Sequence, residues 1–465
     1  MGSGHHGDQG GDDQGHNDQG GCSNGHDDPP TSAPTPSPLC PVPERAEDCP
    51  APTECGLPLG SDLTGEGGSF GVSTAVSQDG RIVAVGAPNT RNGEVRVFYW
   101  NCDTWTLLGS PLDGPEWIEA SSRFGSAVAL SGDGYTLAVG APNEGRYSWG
   151  QASVYDFVDG EWVERTTFTR SGRFSNFGGS VSLSCDGSIL AVGKPGEDQG
   201  LSTPVDASGT DRSGAVEFQE WNGTEWTKLG EINSLLAGAE LGSAIALSAS
   251  GSTVVVGVPS NFFSDGLNNP DSVPGESPNP NGQVQIFSIA DGQVSQIGPT
   301  IEGAAGSATG SAVDISSDGS LVIVGAPNES GRVGAARVFE IDSSGAWVQV
   351  GSTLTGEPVD PSTDLPDIPD EFGTSVAISG DGSTIAVGSP LASTENGRLT
   401  GLVRVYRLVD GDWVQLCNDF SGLVEGGLYS GTYFGGSVSL SEDGSTLVIG
   451  QPFGGDGLVQ VYALP

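Results

Sequence analysis

The chain has 465 residues, with 17 Lys and Arg against 59 Asp and Glu, for a formal net charge of −42. A surface of that sign excludes ordinary recognition of nucleic-acid phosphates and suits high salt, divalent cations or a basic partner. No stretch of about 18 apolar residues occurs, so no membrane-spanning helix is expected, and the Gly-, His- and Asp-rich start lacks the apolar core of a signal peptide.

Residues 1–39 carry no hydrophobic periodicity and hold all four histidines, His5, His6, His16 and His26, so a disordered tail is expected there. It runs into PPTSAPTPSPLCPVP (29–43), a Pro/Ser/Thr-rich linker expected to be stiff and extended. A Cys/Pro-rich segment follows at 40–56. The seven cysteines, at 22, 40, 49, 55, 102, 185 and 417, include no CxxC pair. That spacing favours disulfides in an oxidising compartment over a zinc site, with the connectivity open. Asn222-Gly-Thr224 and Asn328-Glu-Ser330 are sequons compatible with a secreted glycoprotein.

From Leu57 onward one phrase is written seven times, beginning at Phe70, Phe124, Phe177, Leu241, Thr309, Phe372 and Phe434. Repetition at a nearly fixed period means that one supersecondary unit is stacked. Each unit opens with a period-two run such as Ser180–Ser184, followed in six copies by Asp-Gly, as at Asp133-Gly134 and Asp381-Gly382. Asp-Gly between such runs predicts a hairpin with a type I′ turn, both central residues at positive φ. The second run is LAVG-like, with Leu190 and Val192 on one face and Ala191 and Gly193 on the other. That pattern suits a strand between two closely packed sheets. The third is exemplified by Gly401–Tyr406. The fourth usually opens with Trp (Trp105, Trp162, Trp226, Trp347, Trp413). These tryptophans read either as sugar-stacking platforms or as inter-blade packing, and their recurrence in register favours packing. The seventh copy stops after its third run, while Leu57–Gly65 matches the missing fourth. The reading is an all-β, seven-bladed β-propeller spanning 57–465, with four-stranded antiparallel blades and a ring closed three-plus-one by the N-terminal strand.

The phrase FGxSVALSxDGxxLAVGAP…GxVxVY…W resembles the FG-GAP repeat. Phe124-Gly125 with Gly140-Ala141-Pro142 carries both halves, as does Phe70-Gly71 with Gly86-Ala87-Pro88. The resemblance covers 57–465 and includes the propeller of integrin α-subunits, which binds extracellular partners. It is closer to the short-hairpin repeats of microbial and algal surface proteins, and it implies binding or adhesion. Integrin-type calcium loops read DxDxDG, whereas these turns read SGDG, SCDG, SSDG or SEDG. They offer fewer carboxylates than calcium prefers, so calcium remains an open candidate with no assigned site.

In this strand order the loops after the second strand and between blades share one face, and the hairpin turns share the other. The first set is long and variable, as at 195–213, 259–281 and 357–371, and variable loops on a rigid scaffold are where recognition sits. The candidate ligand-binding residues are Asp198, Asp206, Asp211, Asp265, Asp271, Trp149 and Phe263. The expected partner is an extracellular protein or glycan met by a monomeric, non-enzymatic module at the cell surface or outside the cell. Residues 57–465 contain no histidine, which removes Ser-His-Asp, Cys-His and His-zinc schemes there. A carboxylate-based glycan hydrolase or lyase and an inert wall or matrix protein stand as alternatives.

Overall fold

The computed structural model describes residues 55–115, 121–170, 174–200, 211–259, 281–290, 292–357, 369–394, 399–422 and 431–465. The tail, the linker and most of the Cys/Pro-rich segment lie outside these residues. Seven antiparallel sheets follow one another. In blade 2 the strands are Ala127–Leu130, Thr136–Ala141, Gln151–Val158 and Glu161–Thr169, in that spatial order from the axis outward. Blade 7 supplies three strands, Ser437–Leu440, Thr446–Gln451 and Leu458–Ala463. Its fourth comes from the other end of the described chain, Leu57–Pro58 and Leu63–Thr64, with Leu57 opposite Ala463 and Leu63 opposite Val459. The break between those two pieces recurs in blade 1, between Trp105–Leu107 and Leu112–Asp113.

The repeated glycines explain why the blades close into a ring. The Gly of each FG donates its N–H to the carbonyl of the Gly that opens the same blade's GxP phrase, as Gly71 to Gly86 (3.0 Å) and Gly435 to Gly450 (3.0 Å). A Cβ on that second glycine would overlap the carbonyl oxygen of the next blade's FG glycine: Gly86 on Gly125, Gly140 on Gly178, and finally Gly450 on Gly71. Backbone meets backbone between blades, so no side chain fits.

Between adjacent blades lie separate apolar layers. Leu190 and Val192 pack with Ala138, Val154 and Phe177 toward blade 2. Ala191 packs with Val216 and Val254 toward blade 4. The two-faced second strand therefore serves two cores, and Phe70, Phe124, Phe177, Phe372 and Phe434 are fully buried in such layers. Four of the five repeated tryptophans reach back to the preceding blade. Trp105 Nε1 donates to Leu59 O (2.7 Å), Trp162 to Leu108 O (2.8 Å), Trp347 to Ile297 O (3.0 Å) and Trp413 to Val350 O (3.1 Å). They are packing residues.

The Asp-Gly turns correct the turn type. The glycine has positive φ (Gly80 +72°, Gly134 +75°), whereas Asp79 and Asp133 are absent from the residues with positive φ. Gly80 N–H bonds Ser77 O (3.0 Å) and Ser77 N–H bonds Ile82 O (2.9 Å). The turn is thus built on Ser-x-Asp-Gly, with Asp inside a right-handed turn and Gly as the left-handed bulge residue. The serine selects this form: Ser77 Oγ donates to Asp79 Oδ1 (2.6 Å) and accepts from Ile82 N (2.9 Å). The same pair of bonds recurs at Ser131, Ser184, Ser316, Ser379 and Ser441.

Candidate functional site

The two faces of the ring are built differently. On the hairpin face, the x residues of the Ser-x-Asp-Gly turns are joined around the axis by backbone hydrogen bonds. Gln78 N–H reaches Gly132 O (2.9 Å), Gly132 reaches Cys185 (2.7 Å), Cys185 reaches Ala249 (2.8 Å) and Ala249 reaches Ser317 (3.0 Å). Ser317 then reaches Gly380 (2.9 Å), Asp381 reaches Glu442 (3.2 Å), and Glu442 returns to Gln78 (3.1 Å). Side chains fill the centre. Glu442 Oε2 accepts from Ser317 Oγ (2.6 Å) and Gln78 Nε2 (3.3 Å). Gly380 and Gly132 lack side chains where Glu442, Cys185 and Gln78 come over them. The turn aspartates are spent on their own turns, and among the described residues no cluster of three His, Cys, Asp or Glu is placed to hold a metal ion.

The loop face is heterogeneous. In blades 1, 5 and 6 the third residue after the glycine that precedes the third strand is an arginine set among loop acids. Arg96 pairs with Glu94 and Glu66, Arg337 with Glu329, and Arg404 with Glu357 (3.0 Å) and Asp419 (3.1 Å). Blade 3 inverts the sign. There Glu217, 1 % exposed, is met by Arg170, by Lys194 (3.8 Å) and by Lys228 (3.4 Å), while both lysines also pair with Glu231. These are the only two lysines of the chain. Sequence reasoning passed over these ion pairs; the register Gly-x-x-Arg or Gly-x-x-Glu at the third strand was the signal for them.

Of the sequence candidates, Asp206, Asp265, Asp271 and Phe263 lie outside the described residues. Asp198 is exposed, its Oδ1 accepting from Gly200 N (2.8 Å). Asp211 is 1 % exposed. Its Oδ1 accepts from Gln199 N (3.2 Å), Ser213 N (3.0 Å) and Ser213 Oγ (2.8 Å), tying together the two ends of the 195–213 loop. Trp149 ends a short helical turn, Glu144–Ser148, with its ring against Gly145 and its Nε1 buried without a hydrogen-bond partner. In the same turn Glu144 Oε2 is buried and unpartnered, and burial pushes its carboxyl up to about 7. The equivalent Glu329 in blade 5 is bound bidentately by Arg337, with Nη1 to Oε2 at 2.8 Å and Nη2 to Oε1 at 2.5 Å. Blade 2 has Ser153 where blade 5 has that arginine, and among the described residues no cation pairs with Glu144. The structure therefore does not gather the candidates into one site: it leaves Asp198 on the surface, uses Asp211 internally and half-buries Trp149.

The molecule is a seven-bladed β-propeller. No protein-family model matches the sequence, and no curated protein matches it. Among solved structures, it is similar to the β-propeller domain of Cps50 (Swd1) from Myceliophteria thermophila. The identity is 11 %, the TM-score 0.51, and the match covers 87 % of this chain and 100 % of that one. At that identity the likeness concerns the fold alone.

Proposed function

We propose that this propeller is a non-enzymatic binding module of the FG-GAP type, working at the cell surface or outside the cell. Its loop face meets an extracellular protein or glycan. The observation that carries this reading is the asymmetry of the faces. Six of the seven hairpin turns repeat one Ser-x-Asp-Gly device, and all seven are chained around the axis, whereas the opposite face differs blade by blade in length, charge sign and pairing. Repetition serves closure and divergence serves recognition.

Glu144 apart, the chemistry of the loop carboxylates described above supports binding over catalysis. Glu329, Glu357, Glu371 and Glu240 each pair with an arginine, and Asp211 staples its own loop. A glycosidase needs two uncommitted carboxyls at a set separation. The disulfide between Cys55 and Cys417 supports an oxidising compartment. The net charge of −42 favours a basic or cation-bridged partner, so contact should weaken as salt rises.

The test is a ligand array of matrix proteins and glycans probed with the full chain, with and without calcium and at two ionic strengths. Saturable, salt-sensitive retention of at least one ligand is expected. Glycan cleavage above buffer, with no retained ligand, would transfer the protein to the hydrolase or lyase class.

A further inference from the structure

The hairpins between third and fourth strands are built in two ways. In blades 2 and 6 the turn is Asp159-Gly160 and Asp410-Gly411, with all four residues at positive φ. In blades 1, 3 and 5 a longer turn opens on Asn101, Asn222 and Asp342, whose side-chain oxygen gathers backbone N–H groups from the residues ahead. Asn101 Oδ1 accepts from Asp103 N (3.0 Å) and Thr104 N (2.8 Å), and Asp342 Oδ1 accepts from Ser344 N (2.8 Å) and Ala346 N (3.0 Å). Asn222 Oδ1 accepts from Thr224 N (2.9 Å), Glu225 N (2.9 Å) and Thr224 Oγ1 (2.8 Å). The turn needs an oxygen acceptor and nothing from the amide nitrogen, so Asp342 serves as well as the two asparagines.

Asn222 differs from the other two in what surrounds that nitrogen. Asn222, Gly223 and Thr224 are all exposed, and a Cβ on Gly223 would have nothing within 4 Å. Among the described residues no hydrogen bond engages Asn222 Nδ2. Asn222 also has a hydroxyl residue two positions on, where blade 1 has Asp103, and blade 5 opens on a carboxylate. The turn closes Ala215–Trp221 onto Trp226–Asn233, so it stands on the hairpin face, opposite the variable loops. The second sequon, Asn328-Glu-Ser330, is tied into the fold instead. Asn328 is half-buried, its N–H donates to Ser307 O (3.1 Å) and its carbonyl accepts from Arg332 N (3.1 Å), while Glu329 is held by Arg337.

We propose that Asn222 carries an N-linked glycan, held on the hairpin face away from the loops that meet the ligand. The step joins Asn222 Nδ2 to the anomeric carbon of a sugar and breaks that carbon's bond to the pyrophosphate of a lipid-linked oligosaccharide. It releases the lipid pyrophosphate and one amide proton. Oδ1 takes no part, so the hydrogen bonds of the turn survive and the blade carries the sugar without rearrangement. This inference rests on the extracellular reading and adds a covalent group to the face which that reading leaves free of ligand.

Peptide mass spectrometry tests it on the full chain from its source cells, with secreted and cytosolic fractions digested separately, before and after peptide N-glycosidase. In the secreted fraction the tryptic peptide 213–228 should lose the mass of a glycan on enzyme treatment, while the peptide bearing Asn328 should not. Asn222→Asp keeps the kind of acceptor that Asp342 supplies in blade 5. It should abolish the shift, melt with the deglycosylated parent and bind the array ligands within about twofold of the parent's affinity. An unshifted Asn222 peptide in secreted protein, a glycan at Asn328 alone, or a several-fold loss of ligand affinity in Asn222→Asp would overturn the proposal. If secreted protein is bare at Asn222 yet binds the array, the glycan falls and the loop-face reading stands. If the chain is confined to the cytosol and bare, the extracellular reading falls with it.

Discussion

At Gly140 the repeat leaves no room for a side chain, because Gly178 O occupies the place where a Cβ would stand. Gly140→Ala should therefore destabilise by about 3 kcal/mol, at the upper end of overpacking costs, as read by urea denaturation. Glu144 makes a different kind of demand. Its carboxyl titrates at about 7 because burial opposes its charge, above the ordinary value of about 4.3. A raised carboxyl favours the fold below its unfolded pKa, and that contribution is lost as pH rises through 7. Glu144→Gln should accordingly melt higher than the parent at pH 8 and at nearly the same temperature at pH 4. Asp314 is a second case, half-buried in the innermost strand of blade 5 and pushed up to about 6 by desolvation, against hydrogen bonds from Ile315 and Ile378. Neither residue was singled out by the sequence reading. A glutamate in a loop looks solvated until the absence of an arginine at Ser153 is seen in register with Arg337.

The recurring element is the Ser-x-Asp-Gly hairpin. Burial pushes the Asp186 and Asp318 carboxyls up, but hydrogen bonds from Ser184 and Ser188, and from Ser316 and Ser320, overcome this and leave both lowered. A depressed carboxyl contributes stability above its unfolded pKa, and the contribution is lost as pH falls through the folded value. Asp318→Ala should cost about 1 kcal/mol near neutral pH, and thermal melts of parent and variant should converge as pH falls below the ordinary carboxylate range. The hairpin itself was legible from Asp-Gly between alternating runs, but its turn type was not. Asp-Gly alone favours two left-handed residues, whereas the serine two positions earlier captures the Asp carboxylate and holds it right-handed. The period of the strands, the tryptophans and the missing fourth strand were legible because each follows from a pattern that recurs from blade to blade, the tryptophan in five copies and the strand phrase in seven. The loop-face ion pairs belong to single blades, so no repetition announces them.

Ring closure joins the two ends of the described chain through few residues. Leu57–Pro58 and Leu63–Thr64 complete blade 7, while the Cys55–Cys417 disulfide ties the segment before them to blade 6. A cleft of about 650 Å³ opens beside that disulfide, lined by Gly56, Gln415, Asn418 and Phe420. The paired Cys55→Ser and Cys417→Ser variant should lose about 2–5 kcal/mol. Amide hydrogen exchange should rise first in Leu458–Ala463, the strand the closing segment covers. The assignment of recognition to the loop face is the claim on which the functional account depends. It is tested most directly by measuring affinity and its salt dependence, for a ligand from the array, in two charge-matched variants of the full chain. One carries Asp→Asn at 198, 265 and 271, in the segments that join second to third strands in the sequence; the other carries it at the exposed Asp103, Asp159 and Asp410 of the hairpin face. The account predicts an affinity loss of about tenfold or more and a shallower salt dependence in the first, with neither change in the second. Equal losses in both variants, or no loss in the first, would contradict it.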